Sequence, residues 1–568
     1  MMGKNRPSFT AFIVDHRLRT GSDVEAENVA RVLKQMKIDT QILKLDWTSI
    51  TRHPGRLGNL ESVARRLRFQ ALGKACRDLD INSLFVAHHG DDQAETVLTR
   101  LLTGYTNTGL RGIKSESRIP ECHGIHEVSE SGSPHRLLPT RLGSAATPLQ
   151  VESGGIHIYR PLLDFRKAQL IATCEENNTE WFEDPTNADK GLTLRNTIRH
   201  VWATARMPKA LSPSAMSAMA QKAEDRAGER EEIAEILFNR CAIELDVQSG
   251  TLKLALPVDL AEQLSTPGDA TDSNSEAMYG MALLVRKILM LVTPKENVSL
   301  QQLESVTRSV YESILLDSEN EGDSPKPINV AGLMVTRQTI LNPIKTNTGT
   351  DDHPLDDIFR LFNPAAPLKQ PDTKTTTQPD RQVTIFRIER ERPKAQHSAA
   401  HSHTLVQSRD TRASSTDFIW SEWHLFDGRY WIRVRHRPFN LSPNHSIIVR
   451  FLENNDVEAL RKRRNKADVP GLEARLKHAA PGKTRFTLPA LVERYRVTSD
   501  AGVLETRERV CALPSLGWGK EGWRPWSAET QDAVGEPWVW ECRYRMIDFG
   551  MGRHHSIKSP PVRSKGLK

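Results

Sequence analysis

Two short stretches concentrate the residue types that do chemistry. Val14-Asp15-His16-Arg17-Leu18-Arg19 closes the apolar run Phe9–Val14, and His88-His89-Gly90-Asp91-Asp92-Gln93-Ala94-Glu95-Thr96 follows Leu84–Ala87. In an open parallel sheet ligands bind just beyond the carboxyl ends of the strands, so polar residues there are placed for a site. A lone histidine after a strand would suit packing; His88-His89 beside two aspartates is a constellation. Asp92 and Glu95 lie three apart on the opening turn of a helix and share one face, and such a carboxylate pair can hold an ammonium group. The same acids would also complement the positive end of the helix dipole without any substrate.

These stretches need a frame. Ser22-Asp-Val-Glu25 reads as a capping box that opens a helix through Val29, Val32 and Met36. Thr40–Leu45 and Leu84–Ala87 read as further strands, and Leu60–Leu79 and Asp91–Leu102 as further helices. Strands separated by helices imply an α/β fold with a Rossmann-like, mostly parallel sheet. Residues 114–155, rich in Ser, Gly, Pro and His, read as an inserted loop, before a strand at Ile156–Tyr159 and a helix at Phe165–Glu176.

The expected domains are an α/β domain at 1–205, a helical unit at 206–343, a low-complexity disordered linker at 344–416, a β-rich C-terminal domain at 417–550 and a basic tail at 551–568. His397, His401 and His403 in the linker have no acidic or Cys neighbours and read as solvated residues rather than a metal site. Alternating residues on both sides of Asp427-Gly428 signal a β-hairpin. The C-terminal tryptophans read as core rather than base-stacking platforms, and Arg461-Lys462-Arg463-Arg464 as a helix face that could touch phosphate.

Composition narrows the class. A formal charge of +7 permits an RNA partner without demanding one. Six cysteines occur with no Cys-x-x-Cys, which argues against a zinc ribbon, an iron–sulfur cluster or a disulfide framework and fits a reducing compartment. No apolar run approaches the ~20 residues that span a bilayer. Met1–Pro7 reads as neither a signal nor a transit peptide, which leaves a mitochondrial or a cytoplasmic setting open.

Several blocks occur in a fixed order: VDHRLR, Glu61-x-x-Ala-Arg-Arg-x-Arg-Phe69, AHHGDDQAET, Gly104 to Leu110, Arg160-Pro-Leu-Leu163, Trp181-Phe-Glu-Asp184-Pro-Thr-Asn187 and Leu194-Arg195-Asn196-Thr-Ile-Arg199. Over roughly residues 9–205 they resemble the synthetase domain of the tRNA(Ile)-lysidine synthetases, within the PP-loop ATP pyrophosphatases. The resemblance implies a ligase that uses ATP with Mg2+ to adenylate C2 of the wobble cytidine in tRNA(Ile) with a CAU anticodon. L-lysine then displaces AMP to leave lysidine. It implies Asp92, Arg195 and His88 as catalytic residues, and Glu95, His16, Arg19, Arg65 and Arg199 as substrate-binding residues. Asp92 and Glu95 would hold the lysine ammonium group, and Arg195 and Arg199 would meet phosphate or developing charge. Glu61, Arg65 and Arg68 would contact RNA or lock their helix.

The family's Ser-Gly-Gly-x-Asp-Ser loop, whose amides wrap the ATP phosphates, is not found before Phe9. Ser153-Gly154-Gly155 is similar, but His157 and Ile158 stand where Asp and Ser are required, and it precedes a strand rather than a helix. The expectation is a truncated gene model; the alternative is a tRNA-binding product without catalysis. A 2-thiocytidine synthetase of the same fold would need Cys pairs.

Overall fold

The computed structural model describes residues 8–48, 60–135, 149–183, 194–205, 207–257, 260, 270–315, 326–342, 381–393, 401–407, 418–436, 445–462, 469–498, 504–519, 523–525, 538–548 and 555–557. It divides into two compact units: Met1–Gly132 with Gly154–Glu229, and Ser133–Ser153 with Arg230–Lys568.

In the first unit β1 (Thr10–Asp15), α1 (Ser22–Gln35), β2 (Asp39–Lys44), α2 (Leu60–Asp78), β3 (Ser83–Phe85) and α3 (Gly90–Leu102) alternate, followed by β4 (Glu116–Arg118), β5 (His157–Tyr159), α4 (Lys167–Glu176) and α5 (Leu194–Thr204). β1 pairs in parallel with β2, and β3 in parallel with β5, which carries antiparallel β4 on its other side. The parallel strands are as expected, but among the described residues they form two hydrogen-bonded sheets rather than one. One apolar cluster serves both: Phe69, Leu72 and Cys76 of α2 pack with Leu43 of β2, Leu84 of β3 and Ile158 of β5.

Two local expectations change. Gly21, in the left-handed region at φ 86°, is the N-cap of α1; Ser22 Oγ donates instead to Asp15 Oδ1 at 2.8 Å, and Glu25 pairs with Arg19. The long-range partner Asp15 takes the hydroxyl that a local capping box would have used. The 114–155 segment is not wholly a loop: it contributes β4, and its Ile119, Cys122 and Val128 are buried in the α2 cluster. Their apolar recurrence is diluted by Ser, Gly, Pro and His.

In the second unit a six-stranded sheet runs in the order 555–557, 242–246, 251–255, 381–390, 333–342 and 328–330. Its core unites Leu254, Phe386 and Ile388 with Leu284, Ile288 and Val306 from helices Ala270–Met290 and Glu304–Leu315. The expected helical unit at 206–343 therefore also supplies four strands. Part of the expected linker is structured too: Arg381–Arg390 pairs along its length with Leu333–Asn342, and His403–Gln407 pairs with His445–Phe451. Arg381, Arg387, Glu389 and Arg390 around Val383, Ile385 and Ile388 give that strand a polar composition. Residues 344–380, His397 and Arg463-Arg464 lie outside the described residues, as does most of the basic tail apart from the strand His555–Ile557.

The hairpin stands where Asp427-Gly428 marked it, with Phe426 opposite Tyr430. Asp427 and Gly428 both have positive φ, 49° and 59°, and a Cβ on Gly428 would lie 2.1 Å from the Pro294 carbonyl oxygen. Asp427 is clamped by Arg390 and Arg429 at 3.0 and 2.8 Å. Trp431, Trp540, Trp523 and Trp518 are buried, as core tryptophans should be. Trp420 and Trp423 instead sandwich Arg433, whose guanidinium lies 4.3 and 4.5 Å from their ring centres. Helices Asn454–Lys462 and Val469–Ala479 interrupt the β-rich region, and Arg461 is tied to Glu473 at 2.9 Å.

Candidate active site

The first unit holds a cleft of about 1190 Å³ at the carboxyl ends of β1 and β3. Its β1 side is built by a tight turn. Arg17, at φ 53°, donates its backbone N–H to Asp15 Oδ1 at 3.0 Å, and Trp47 Nε1 donates to the His16 carbonyl at 2.8 Å. Asp15 is 3% exposed, so its carboxylate serves the turn while His16 and Arg19 line the cleft. Apolar wall comes from Ile13, Ala26, Val29, Leu60 and Ala64.

The lining also carries charge: Glu25 and Glu61 together with several arginines. Arg65 and Arg68 project from α2, Arg100 from the end of α3, Arg160 from just after β5 and Arg195 from the first turn of α5. Arg65 reaches Glu121 at 3.3 Å and covers the Phe69 ring, as does Arg68. Arg100 Nη1 donates to the carbonyls of Gly109 and Gly112 at 3.0 and 2.9 Å. Arg160 Nη1 donates to the Lys114 carbonyl and to Ser117 Oγ at 2.8 and 3.0 Å. Burial and neighbouring guanidiniums hold Arg68, Arg100 and Arg160 below the usual arginine value. His88 sits among them. Burial holds its imidazole down at about 4, helped by Arg160, Arg68 and Arg195 and opposed by Asp92, so it is neutral at pH 7. Its Nδ1 is buried without a hydrogen-bond partner among the described residues.

Behind this wall α3 opens on a capping box made by His89 and Asp92: Asp92 Oδ2 accepts from the His89 N–H at 3.0 Å, and His89 Nδ1 from the Asp92 N–H at 3.4 Å. Asp91 caps the next helix, accepting the Lys167 N–H at 2.8 Å. Glu95 is 2% exposed and takes a bidentate bond from Arg199, at 2.5 and 2.9 Å, while Asp92 lies 3.5 Å from the same guanidinium. Burial raises the Glu95 pKa and Arg199 opposes that rise.

The expected residues thus fall into two groups. His16, Arg19, Arg65, His88 and Arg195 line the cleft together. Asp92, Glu95 and Arg199 do not line it and form an ion cluster under α3. The cation expected between the two acids is Arg199 itself, so Arg199 is not free to meet phosphate, because a buried carboxylate needs a charged partner. The sequence reading gave Arg160 no role and missed Arg100; both lie outside the strand-end clusters, and only their charge could have drawn attention. Gln93 was also missed. Its side chain accepts from Ile113 N–H at 2.5 Å and donates to the Ile113 carbonyl at 3.1 Å, pinning the turn that ends in Gly112.

Comparison with known proteins agrees with this architecture. The family model described as the PP-loop domain matches residues 2–204. A probable tRNA(Ile)-lysidine synthase of Schizosaccharomyces pombe is 37% identical over 193 residues, 34% of this chain and 36% of the relative. The tRNA(Ile)-lysidine synthases of Orientia tsutsugamushi and Bradyrhizobium diazoefficiens are 29% and 31% identical, over 34% and 33% of this chain and 35% and 41% of theirs. The matched segment spans well under two thirds of each relative. Among solved structures, a U34-tRNA thiolase from Methanococcus maripaludis aligns with 40% of this chain and 65% of its own, at 12% identity and a TM-score of 0.28, too distant to bear on the site. Residues 2–204 match the PP-loop domain, and over that segment the chain is similar to tRNA(Ile)-lysidine synthases.

Proposed function

We propose that the protein is a tRNA-modifying ligase that joins L-lysine to C2 of the wobble cytidine of tRNA(Ile) with a CAU anticodon, at the expense of ATP. The observation that carries the reading is the cleft at the strand ends, whose lining combines apolar side chains with arginines around His88. That pairing suits a planar base together with phosphate, since guanidinium groups bind oxyanions with directed, charge-assisted bonds.

In this reading the target cytidine lies against the apolar wall. ATP supplies an adenylyl group to the base, pyrophosphate leaves, and the lysine amine then displaces AMP. Arg195 neutralises charge on the adenylated base, and His88, neutral at pH 7, accepts a proton through its unpartnered Nδ1. Asp92 and Glu95, already paired with Arg199, hold α3 and α5 in register rather than meeting the ammonium. His16 and Arg19 border the nucleotide, and Arg65 the RNA. The residues present suit the phosphates of ATP. Mg2+ would be carried on the nucleotide's phosphates, with few ligands from the protein. No helix among the described residues is long and apolar enough to cross a membrane.

The test is transfer of isotopically labelled lysine to a tRNA(Ile) transcript with CAU by the purified chain and ATP, followed by mass spectrometry of the wobble nucleoside. Label on C34, and none on a transcript with U34, is expected. Label on both would contradict the assignment of cytidine as target.

A further inference from the structure

Residues 133–153 lie within the sequence that matches the PP-loop domain, yet they fold with the second unit: the chain leaves the first unit after Gly132 and returns at Gly154. The stem of this arm is a ribbon. Ser133 N–H donates to the Ser153 carbonyl at 2.9 Å, and His135 and Val151 exchange backbone bonds of 2.9 Å each way. Gln150–Val151 then forms a short strand that runs parallel with Arg543 and Tyr544. The Glu152 N–H extends the ladder, donating to the Tyr544 carbonyl at 2.9 Å. Leu149 and Val151 are buried in the apolar cluster that contains Tyr430, Trp540 and Tyr544. Strand Trp538–Tyr544 has Tyr430–His436 along its whole length on one side. Its other edge is shared: Trp523–Pro525 covers 538–540, and the arm covers 543–544. An edge left open there would present unpaired backbone groups and bare apolar surface.

Glu152 fixes which segment can dock and in what register. Its side chain is fully buried and accepts from Arg543 Nη1 at 2.8 Å. Arg543 is itself held by Glu541 at 2.8 Å and lies 4.5 Å from the Trp423 ring centre. A buried carboxylate is tolerated only beside a paired cation, so the edge selects an acid at this one position. A slip of one residue would carry Glu152 off Arg543 and turn Val151 out of the core. We infer that residues 149–152 are a strand donor, and that the edge at 543–544 is an acceptor site for an extended Leu-x-Val-Glu segment. The ladder supplies affinity, and the two apolar side chains with the glutamate supply selectivity. The site is filled by the protein's own insertion, and the sheet of the second unit is complete only when the arm is docked. None of this depends on the reaction assigned to the cleft.

The experiment follows hydrogen exchange of peptides from 538–545 in the full chain, with α2 peptides as the check that the first unit is folded. Two variants are compared with the wild type: Glu152→Gln, and a chain in which 149–153 is replaced by a Gly-Ser linker of equal length. Glu152→Gln leaves Arg543 without its buried acid and should speed exchange at 538–545 by roughly tenfold or more. The linker chain should lose protection there while α2 keeps it. A synthetic peptide with the sequence of residues 147–155, added in excess to the linker chain, should restore the protection. The same peptide carrying Glu152→Gln should bind roughly tenfold more weakly, the loss expected for one charge-assisted contact. Wild-type protection in the linker chain, or no recovery with the peptide, would overturn the acceptor site. Should the linker chain fail to fold, Glu152→Gln decides alone: unchanged exchange at 538–545 in that variant sinks the inference.

Discussion

Replacing Arg199 with Leu isolates the ion cluster under α3. Glu95 is 2% exposed and its two oxygens are held by one guanidinium, so the variant strands a buried carboxylate. Breaking a buried pair costs ~3–5 kcal/mol. The Arg199 side chain retains 35% exposure, so solvent screening places the loss near the lower end, about 3 kcal/mol. The sign of its pH dependence follows from Glu95. Burial already raises that pKa in the folded state, and removal of Arg199 raises it further, so the folded carboxyl holds its proton to higher pH than the unfolded one. The deficit should therefore be small below the unfolded carboxyl range and grow as pH rises through it toward neutrality. The assay is hydrogen exchange of peptides from α3 and α5 at pH 7, where about 3 kcal/mol corresponds to roughly a hundredfold faster opening. Adding Glu95→Gln to Arg199→Leu should restore most of the protection. Unchanged exchange in the single variant, or no recovery in the double, would refute the claim that the pair holds the two helices.

Other outcomes follow from the same geometry. His424 is held at about 4 by burial and by His403, whose ring lies 4.1 Å away, so the unfolded state takes up protons that the folded state does not as pH falls from 6.5 to 4. Stability should fall over that window, and His424→Phe should flatten the urea-denaturation profile there; an unchanged slope would count against the buried pair. Gly112→Ala, at φ 68° with its Cβ 2.4 Å from Gln93 Oε1, should destabilise the 107–114 turn by ~1–3 kcal/mol, visible as faster exchange in that peptide. Cys76, pushed up to about 11 by burial, should resist alkylation at pH 8 while half-buried Cys174 reacts; equal labelling of the two would show that the α2 core opens readily.

The elements that position the cleft were legible because apolar runs and helical stripes in the first two hundred residues are strong and short-range. Asp427-Gly428 was legible for the same reason, since two adjacent positive-φ positions write themselves into residue choice. What escaped were features decided by distant partners. Ser22 looks like a cap until Asp15 claims its hydroxyl, and Arg199 looks like a ligand for phosphate until Glu95, 104 residues away, binds it. Strand Arg381–Arg390 is hidden by charges that its partner strands accommodate. Arg160 follows a strand just as His88 does, but without a cluster of polar neighbours its isolation in sequence concealed its place in the cleft.

The central claim, that this chain lays lysine on a single tRNA, is tested most directly in the cell. Delete the gene, isolate tRNA(Ile) with a CAU anticodon, and identify its wobble nucleoside by mass spectrometry. The account predicts unmodified cytidine in the deletion strain, lysidine on restoring the gene, and cytidine again when the restored copy carries Arg195→Ala. Lysidine persisting at normal levels after deletion would contradict it.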